Sequence, residues 1–263
     1  MRFLEHLVLL RGGGDLGTGV AWRLHRAGFP VIVAELEQPL TVRRMVALST
    51  AVIDGEVDVE GMKGTRVADV AHALAVAAGG VVPVIVSSGL PNLPRSVVVD
   101  ARVAKRNIDT TITDAALVVG LGPGFSAGVD CHAVVETMRG HRLGRVIWEG
   151  SAHPDTGVPG EVGGKSSSRV VRAPADGLVR WDRRIGDVVH QGDVLGWVGE
   201  VPVHASNGGV VRGLIVDGMT VWAALKIGDV DPRGDPSLCW EISDKSLAIG
   251  GGVLEAVLIW LNR

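Results

Sequence analysis

The 263-residue chain has no tyrosine, three phenylalanines and only two cysteines, Cys131 and Cys239, far apart in sequence. Two lone cysteines make no disulfide framework, so a reducing cytoplasm is the expected compartment. Basic residues do not outnumber acidic ones. The formal net charge of -3 leaves no electrostatic footprint for a nucleic acid. The most apolar C-terminal run, Val253 to Leu261, contains Glu255 and falls well short of the roughly 20 residues needed to cross a bilayer. The opening MRFLEHLVLL is interrupted by Glu5 and His6 and does not read as a secretory signal. Neither a nucleic-acid nor a membrane partner is expected. The eight histidines show no HExxH and no close pair, and there is no CxxC, so no metal site is expected. There is no G-x-S-x-G either, and no serine triad is implied.

What is present is valine and glycine. Hydrophobic residues make up 46% and charged residues 21%, the balance of an ordinary globular protein with a proper core. Leu7 to Leu10 reads as a short buried strand and Gly14 to Ala27 as a helix closed by Gly28. FPVIVAELE follows as a second strand, and TVRRMVALSTAV as a helix with Thr41 at its N-cap. VADVAHALAVAAGG is a further helix, while VVPVIVSS, RSVVVDAR and AALVVGLGPG each supply a β-branched run ending in polar or glycine residues. This alternation predicts a Rossmann-like α/β domain over residues 1–150, doubly wound around a mainly parallel sheet. A Gly/Pro/Ser-rich connection follows at 151–168.

Beyond it the chain is duplicated. A shift of 32 residues aligns Ala173 with Ala205, Gly177 with Gly209, Val179 with Val211, Arg180 with Arg212 and Gly186 with Gly218. RAPADGLVRWDRRIGDVVHQGDVLGWV looks like a biotinyl/lipoyl-type barrel-sandwich hybrid, predicted over 169–235. Its expected carrier hairpin, at Glu200, Val201 and Pro202, holds no lysine, so no biotin or lipoate arm is expected. The last segment, 236–263, is expected to end in a helix over about 250 to 262 that packs back on the first domain.

Gly12, Gly14 and Gly17 satisfy G-x-G-x-x-G between a strand and a helix. The first allows a tight turn, the second the approach of a pyrophosphate, and the third close packing of helix on strand. Gly13 and Asp15 share this turn, and Glu35 ends the next strand where a ribose hydroxyl would be bound. The plain alternative is a glycine-packed turn with no ligand. In GLGPGFSAG, Gly120, Gly122 and Gly124 with Ser126 read either as an anion-binding nest or as a tight loop held by Pro123. Arg139 and Lys245 are candidates for a substrate or other anion. Cys239 precedes SDK and three glycines, a setting that predicts either a nucleophilic thiol of depressed pKa or a simply buried one. Asp229, Asp231 and Asp235 read as a solvated turn or a hard-cation site.

Several stretches occur together and in order: GGGDLGTGVAWRLHRAGFPVIVAELEQPLTVRRMVALSTAVIDGE, GLGPGFSAGVDCHAVVETMRGHRLGRVIW, PDTGVPG, RAPADGLV, KIGDVDPRG and ISDKSLAIGGGVLEA. In these the chain resembles the selenium-dependent molybdenum hydroxylase system protein family, the YqeB family. The resemblance implies an accessory or maturation role, with a molybdenum hydroxylase or its maturation proteins as partners. The bound nucleotide would be NAD(P) or a molybdopterin dinucleotide. A non-catalytic cofactor chaperone or scaffold and an NAD(P)-dependent oxidoreductase are the alternatives, and a homo-oligomer is left open.

Overall fold

The computed structural model describes residues 2–157, 164 and 167–263. Part of the connection expected at 151–168, including the end of PDTGVPG, lies outside the described residues. The chain forms two compact units. The first holds residues 1–39, 47–155 and 242–263; the second holds 40–46 and 156–241.

In chain order the first unit begins with β1 (Val8–Arg11), α1 (Asp15–Ala27) and β2 (Val31–Glu35). Then follow α2 (Thr50–Asp54), β3 (Glu56–Val59), β4 (Met62–Val67), α3 (Val70–Ala78) and β5 (Val82–Val86). β6 (Val97–Asp100), β7 (Leu117–Leu121), β8 (Ser126–Ala127), β9 (Ala133–Val135), β10 (Val146–Ile147) and β11 (Gly150–Ser151) complete its strands. Nine of these make one sheet in the order β10-β9-β7-β6-β1-β2-β5-β4-β3. Seven are mutually parallel, and β10 and β3 close the two edges antiparallel. The central strands are apolar on both faces because both faces are covered. Val8 and Leu10 point into one core layer and Leu7 and Leu9 into the other, as the two-residue strand period requires.

α4 (Asp244–Leu261) returns the chain's end to α1. It starts at Asp244 rather than about 250, because Ser243 caps it by accepting from the Ser246 amide. Gly250, Gly251 and Gly252 therefore lie inside a helix. A Cβ on Gly250 would sit 2.4 Å from the Gly19 carbonyl oxygen, and one on Gly19 would sit 2.5 Å from that of Ser246. The two helices pack backbone to backbone.

The second unit contains β12 (Val170–Arg172), β13 (Gly177–Trp181), β14 (Val188–Val189) and β15 (Val194–Val198). β16 (Val201–His204), β17 (Gly209–Leu214), β18 (Thr220–Val221) and β19 (Lys226–Asp231) repeat them at a shift of about 32 residues. They form two antiparallel sheets, β12-β19-β17-β14 and β16-β15-β13-β18. Exchanging each strand for its repeat converts one order into the other. Gly177 and Gly209, at equivalent positions, share φ values of 151° and 152°.

The predicted fold class is corrected on both counts. The large sheet is mixed, and it is not doubly wound: β5 to β6, β6 to β7 and β7 to β9 are joined without a helix. Pro91 and Pro94 rule out a helix in the first of these loops. The second unit is two four-stranded antiparallel sheets that draw in residues 40–46 and 236–241, which a barrel-sandwich domain over 169–235 did not include. The helix expected at 41–52 is only a 3-10 turn at Arg44–Val46 and the five residues of α2. No helix among the described residues is long and apolar enough to cross a membrane.

Two buried carboxylates brace the second unit. Asp231 pairs with Arg212 at 2.7 Å and Arg233 at 2.6 Å, and Asp229 pairs with Arg169 and, at 3.4 Å, Arg212. These aspartates are thus ion-paired core groups, and Asp235 caps the turn at Pro236–Cys239. Burial acts to raise the Asp231 carboxyl, but Arg233 and Arg212 outweigh it and hold it well below the usual range. Its stabilisation is therefore complete above about pH 4, the ordinary carboxylate value, and is lost as pH falls toward its depressed folded value. Asp231→Asn is expected to cost about 3 kcal/mol, since it leaves the buried Arg212 guanidinium with only its longer contact to Asp229. A pH series of denaturant melts checks both statements, and the variant's acid limb should be flatter than the parent's. In α4, Gly250→Ala is expected to destabilise by about 1–3 kcal/mol through overpacking. Gly251 meets nothing within 4 Å, so Gly251→Ala should stabilise by about 0.5–1 kcal/mol. Thermal melts of the two neighbours should move in opposite directions.

Candidate functional site

Because β1, β2, β6, β7 and β9 run parallel, their carboxyl ends share one edge of the sheet. The chain leaves β1 toward β2, while β6 lies on the other side of β1. A crevice at such a reversal is where open α/β sheets take ligands. This edge carries Gly12 to Gly14 after β1, Glu35 at the end of β2, Asp100 and Arg102 around the end of β6, Gly122 after β7 and Glu136 after β9.

The turn after β1 assigns each glycine a task. Gly12 takes φ 98°, and its N–H donates to the Ala34 carbonyl at 2.8 Å. A Cβ on Gly17 would lie 2.1 Å from the Gly12 carbonyl oxygen, so helix and turn close on each other only without it. Gly13 is hemmed in by Val33 and the Ser49 amide. Gly14 is the N-cap of α1, extended at φ -69° and ψ -172°, and no side chain caps the helix there. Glu35 turns inward: Oε2 accepts from the Gly13 amide and Oε1 from that of Leu36, each at 2.7 Å. Burial raises the Glu35 carboxyl above its ordinary value against the pull of these two donors. Asp15 accepts from the Ser246 hydroxyl at 2.8 Å, which joins the first turns of α1 and α4. Gly12, Gly13, Gly14, Asp15, Gly17 and Glu35 are thus brought together.

The second glycine loop is packed differently from an anion nest. Added Cβ atoms on Gly120, Gly122 and Gly124 would strike the Phe125 ring, the Thr137 hydroxyl and the Arg106 backbone, each within about 2.5 Å. The Gly122 amide donates to Val135 and that of Ser126 to Asp130, both at 2.9 Å. These glycines make room for the protein's own atoms. Arg139 forms a two-pronged pair with Asp244 at 2.8 and 3.1 Å, at the start of α4. Lys245, in the first turn of α4, is half-buried, and the three glycines expected to open a helix beside it are helix interior. Cys239 belongs to the second unit and is buried, with its thiol toward the Val211 carbonyl. Burial pushes that thiol up despite Arg212 and Arg43, so the expected depressed pKa is not met. Burial likewise pushes Cys131 up to about 11.

Two clusters on the edge were missed from sequence. Arg11, almost fully buried, directs its guanidinium to Asp109 at 2.8 Å and to the Thr110 hydroxyl at 2.8 Å. Arg102 also reaches Asp109, at 2.7 Å, and it is held by the buried carboxylate of Asp100. The polar ending of RSVVVDAR was the available signal, but Arg11 and Asp109 are 98 residues apart. In the second cluster, Glu136 accepts from the His153 amide at 2.9 Å, from its ring Nδ1 at 2.7 Å and from the Met138 amide at 2.7 Å. Burial acts to raise this carboxyl, and the donors outweigh it and hold it below its ordinary value. Among the described residues no group of three or more His, Cys, Asp or Glu is placed to hold a metal ion.

Both thiols are expected to be inert toward an aromatic disulfide reagent at pH 8 in the folded protein and to titrate fully in denaturant. Fast reaction of Cys239 in native protein would reinstate it as a nucleophile.

No family model matches the sequence. Among solved structures, an aspartoacylase family protein from Mesorhizobium loti is 15% identical, with 86% of this chain and 84% of that one covered at a TM-score of 0.30. The product-bound ectoine utilization protein EutE (DoeB) from Ruegeria pomeroyi is 13% identical, with 85% and 56% covered at 0.24. Likeness that low carries no conclusion about fold or chemistry. The protein YqeB of Escherichia coli (strain K12), itself uncharacterized, is 47% identical over 262 residues, which is 98% of this chain and 48% of YqeB. That identity over nearly the whole chain supports membership of the YqeB family, and the chain spans about half the length of that relative.

Proposed function

We propose that the protein is a cytoplasmic accessory or maturation factor of the selenium-dependent molybdenum hydroxylase system, and that it binds a nucleotide or molybdenum-cofactor dinucleotide at the turn after β1. The observation that carries this reading is the division of labour among three glycines. Gly12 adopts the left-handed tight turn, Gly17 is pressed on its carbonyl, and Gly14 opens a helix with no side-chain cap. Those are the three tasks a pyrophosphate-binding turn requires, and the helix mouth adds about half a positive charge. The residues fit such a ligand as follows. The amides at the start of α1 face the pyrophosphate, and Glu35, whose two oxygens each hold one N–H, retains lone pairs for ribose hydroxyls. When bound, the cofactor would supply the redox chemistry, and these side chains orient it.

A cofactor chaperone is the second reading, and it is favoured by one observation. Cys131 and Cys239 are both buried, so neither thiol is presented to carry sulfur or selenium. Native mass spectrometry of freshly purified protein, followed by calorimetric titration with NADH, NADPH and ADP, tests the nucleotide. Binding in the micromolar range is expected. Glu35→Ala should weaken nucleotide affinity by about tenfold or more while leaving inorganic pyrophosphate within about twofold. Absence of any retained or added nucleotide across these ligands overturns the reading, and turnover of one of them would favour an enzyme over a chaperone.

A further inference from the structure

Arg11 and Arg102 present an arrangement that the nucleotide reading leaves unused. Two guanidiniums, from the last residue of β1 and the loop after β6, converge on one carboxylate, Asp109. Arg11 is buried while Asp109 is half open to solvent. The Thr110 hydroxyl stands in the same cluster and donates to Asp100 at 2.7 Å. A buried guanidinium normally takes its counter-charge from a buried group, and Asp100 is that group for Arg102. Arg11 instead depends on an exposed loop residue 98 positions away.

The loop that brings Asp109 there is strained. Val103 has φ 51° and Lys105 φ 63°, and a β-branched residue in the left-handed region is an outlier. Such strain persists only where surrounding contacts impose it, and it gathers at ligand clamps and switches. The contacts that impose it are Asp109 to both arginines, Lys105 to Asp155 at 2.7 Å, and the backbone of Arg106 against Gly124. The cluster adjoins the glycine turn, since a Cβ on Gly12 would touch Ala101 and Arg102.

We propose that Arg11 and Arg102 form a phosphate subsite of the crevice, and that Asp109 occupies it as an internal stand-in until an anionic ligand displaces it. A phosphate accepts paired N–H bonds from guanidinium in the same geometry as a carboxylate, and it carries more charge. Expulsion of Asp109 leaves two arginines against Asp100 alone, so the vacated subsite is cationic and selects an anion. Release of the strained loop accompanies the exchange. The subsite deepens the nucleotide reading, on which its ligand class rests, but it uses different residues.

The test is calorimetric titration with inorganic pyrophosphate of the full chain and its variants, with thermal melts confirming that each is folded. Asp109→Asn should bind pyrophosphate at least about tenfold more tightly than the parent. Asp109→Ala, which removes the amide as well, should do the same. Adding Arg102→Gln to either should abolish the gain. Affinity unchanged or weaker in both Asp109 variants overturns the proposal, as does a gain that survives loss of Arg102. The two readings separate cleanly. A gain in pyrophosphate affinity with no nucleotide binding keeps the subsite and removes the nucleotide, while nucleotide binding without the gain does the reverse.

Discussion

Helix α1 is pressed from two sides at distances that no side chain permits. At Gly17 its neighbour is the Gly12 carbonyl, and at Gly19 it is the carbonyl of Ser246 at the start of α4. These two contacts set where the helix mouth lies relative to the sheet edge and to the chain's last helix. Everything proposed for the crevice depends on that placement. A methyl group at either position would push α1 outward and carry Gly14 away from Glu35 and Arg102. The cost of glycine within a helix, about 1 kcal/mol each, is offset by the backbone approach it allows.

Charge is handled in two contrasting ways. In the second unit Asp229 and Asp231 are fully enclosed, and Arg169, Arg212 and Arg233 surround them from three parts of the chain. That network has no exchangeable member with a buried partner to spare, and it serves as a brace. At the crevice of the first unit the same residue types are arranged with an exposed carboxylate. Asp100 is enclosed but Asp109 is not. The sign of the exposed member separates the two: in the brace it is a cation, Arg233, and at the crevice it is the carboxylate of Asp109, which an anion can replace.

Sequence made the first half of the large sheet legible, because β-branched runs alternate with helical periodicity and the glycine turn marks their junction. α1 and α3, with the strands before and after them, lie close to where the pattern put them. The failures have physical causes. Beyond β5 the crossovers carry proline, threonine and aspartate, so parallel strands continue without helices and a doubly wound reading does not hold. The GGG run near the end reads as the opening of a helix but lies inside α4, because Gly250 answers to a neighbouring backbone rather than to its own helix. The 32-residue repeat was visible in full, yet it gave no means of knowing that residues 40–46 would join that unit. At the edge, the glycines and Glu35 were found by spacing. Arg11, Asp109, Glu136 and His153 were not, since each pair is made by strand order and loop placement.

The Glu136 and His153 pair joins residues 17 positions apart at the end of β9. A carboxylate that holds an imidazole by Nδ1 is two-thirds of a nucleophilic triad. Here the carboxylate also takes the backbone amides of His153 and Met138, so its oxygens are engaged by the chain at both ends of a loop. That pattern is what fastens residue 153 to the end of β9. The third member has no candidate among the described thiols, since Cys131 and Cys239 are buried with raised pKa values. The pair stands at the end of β9, about three strand spacings of ~4.8 Å from β1. A ligand anchored at the glycine turn would have to extend about 14 Å along the sheet edge to reach it.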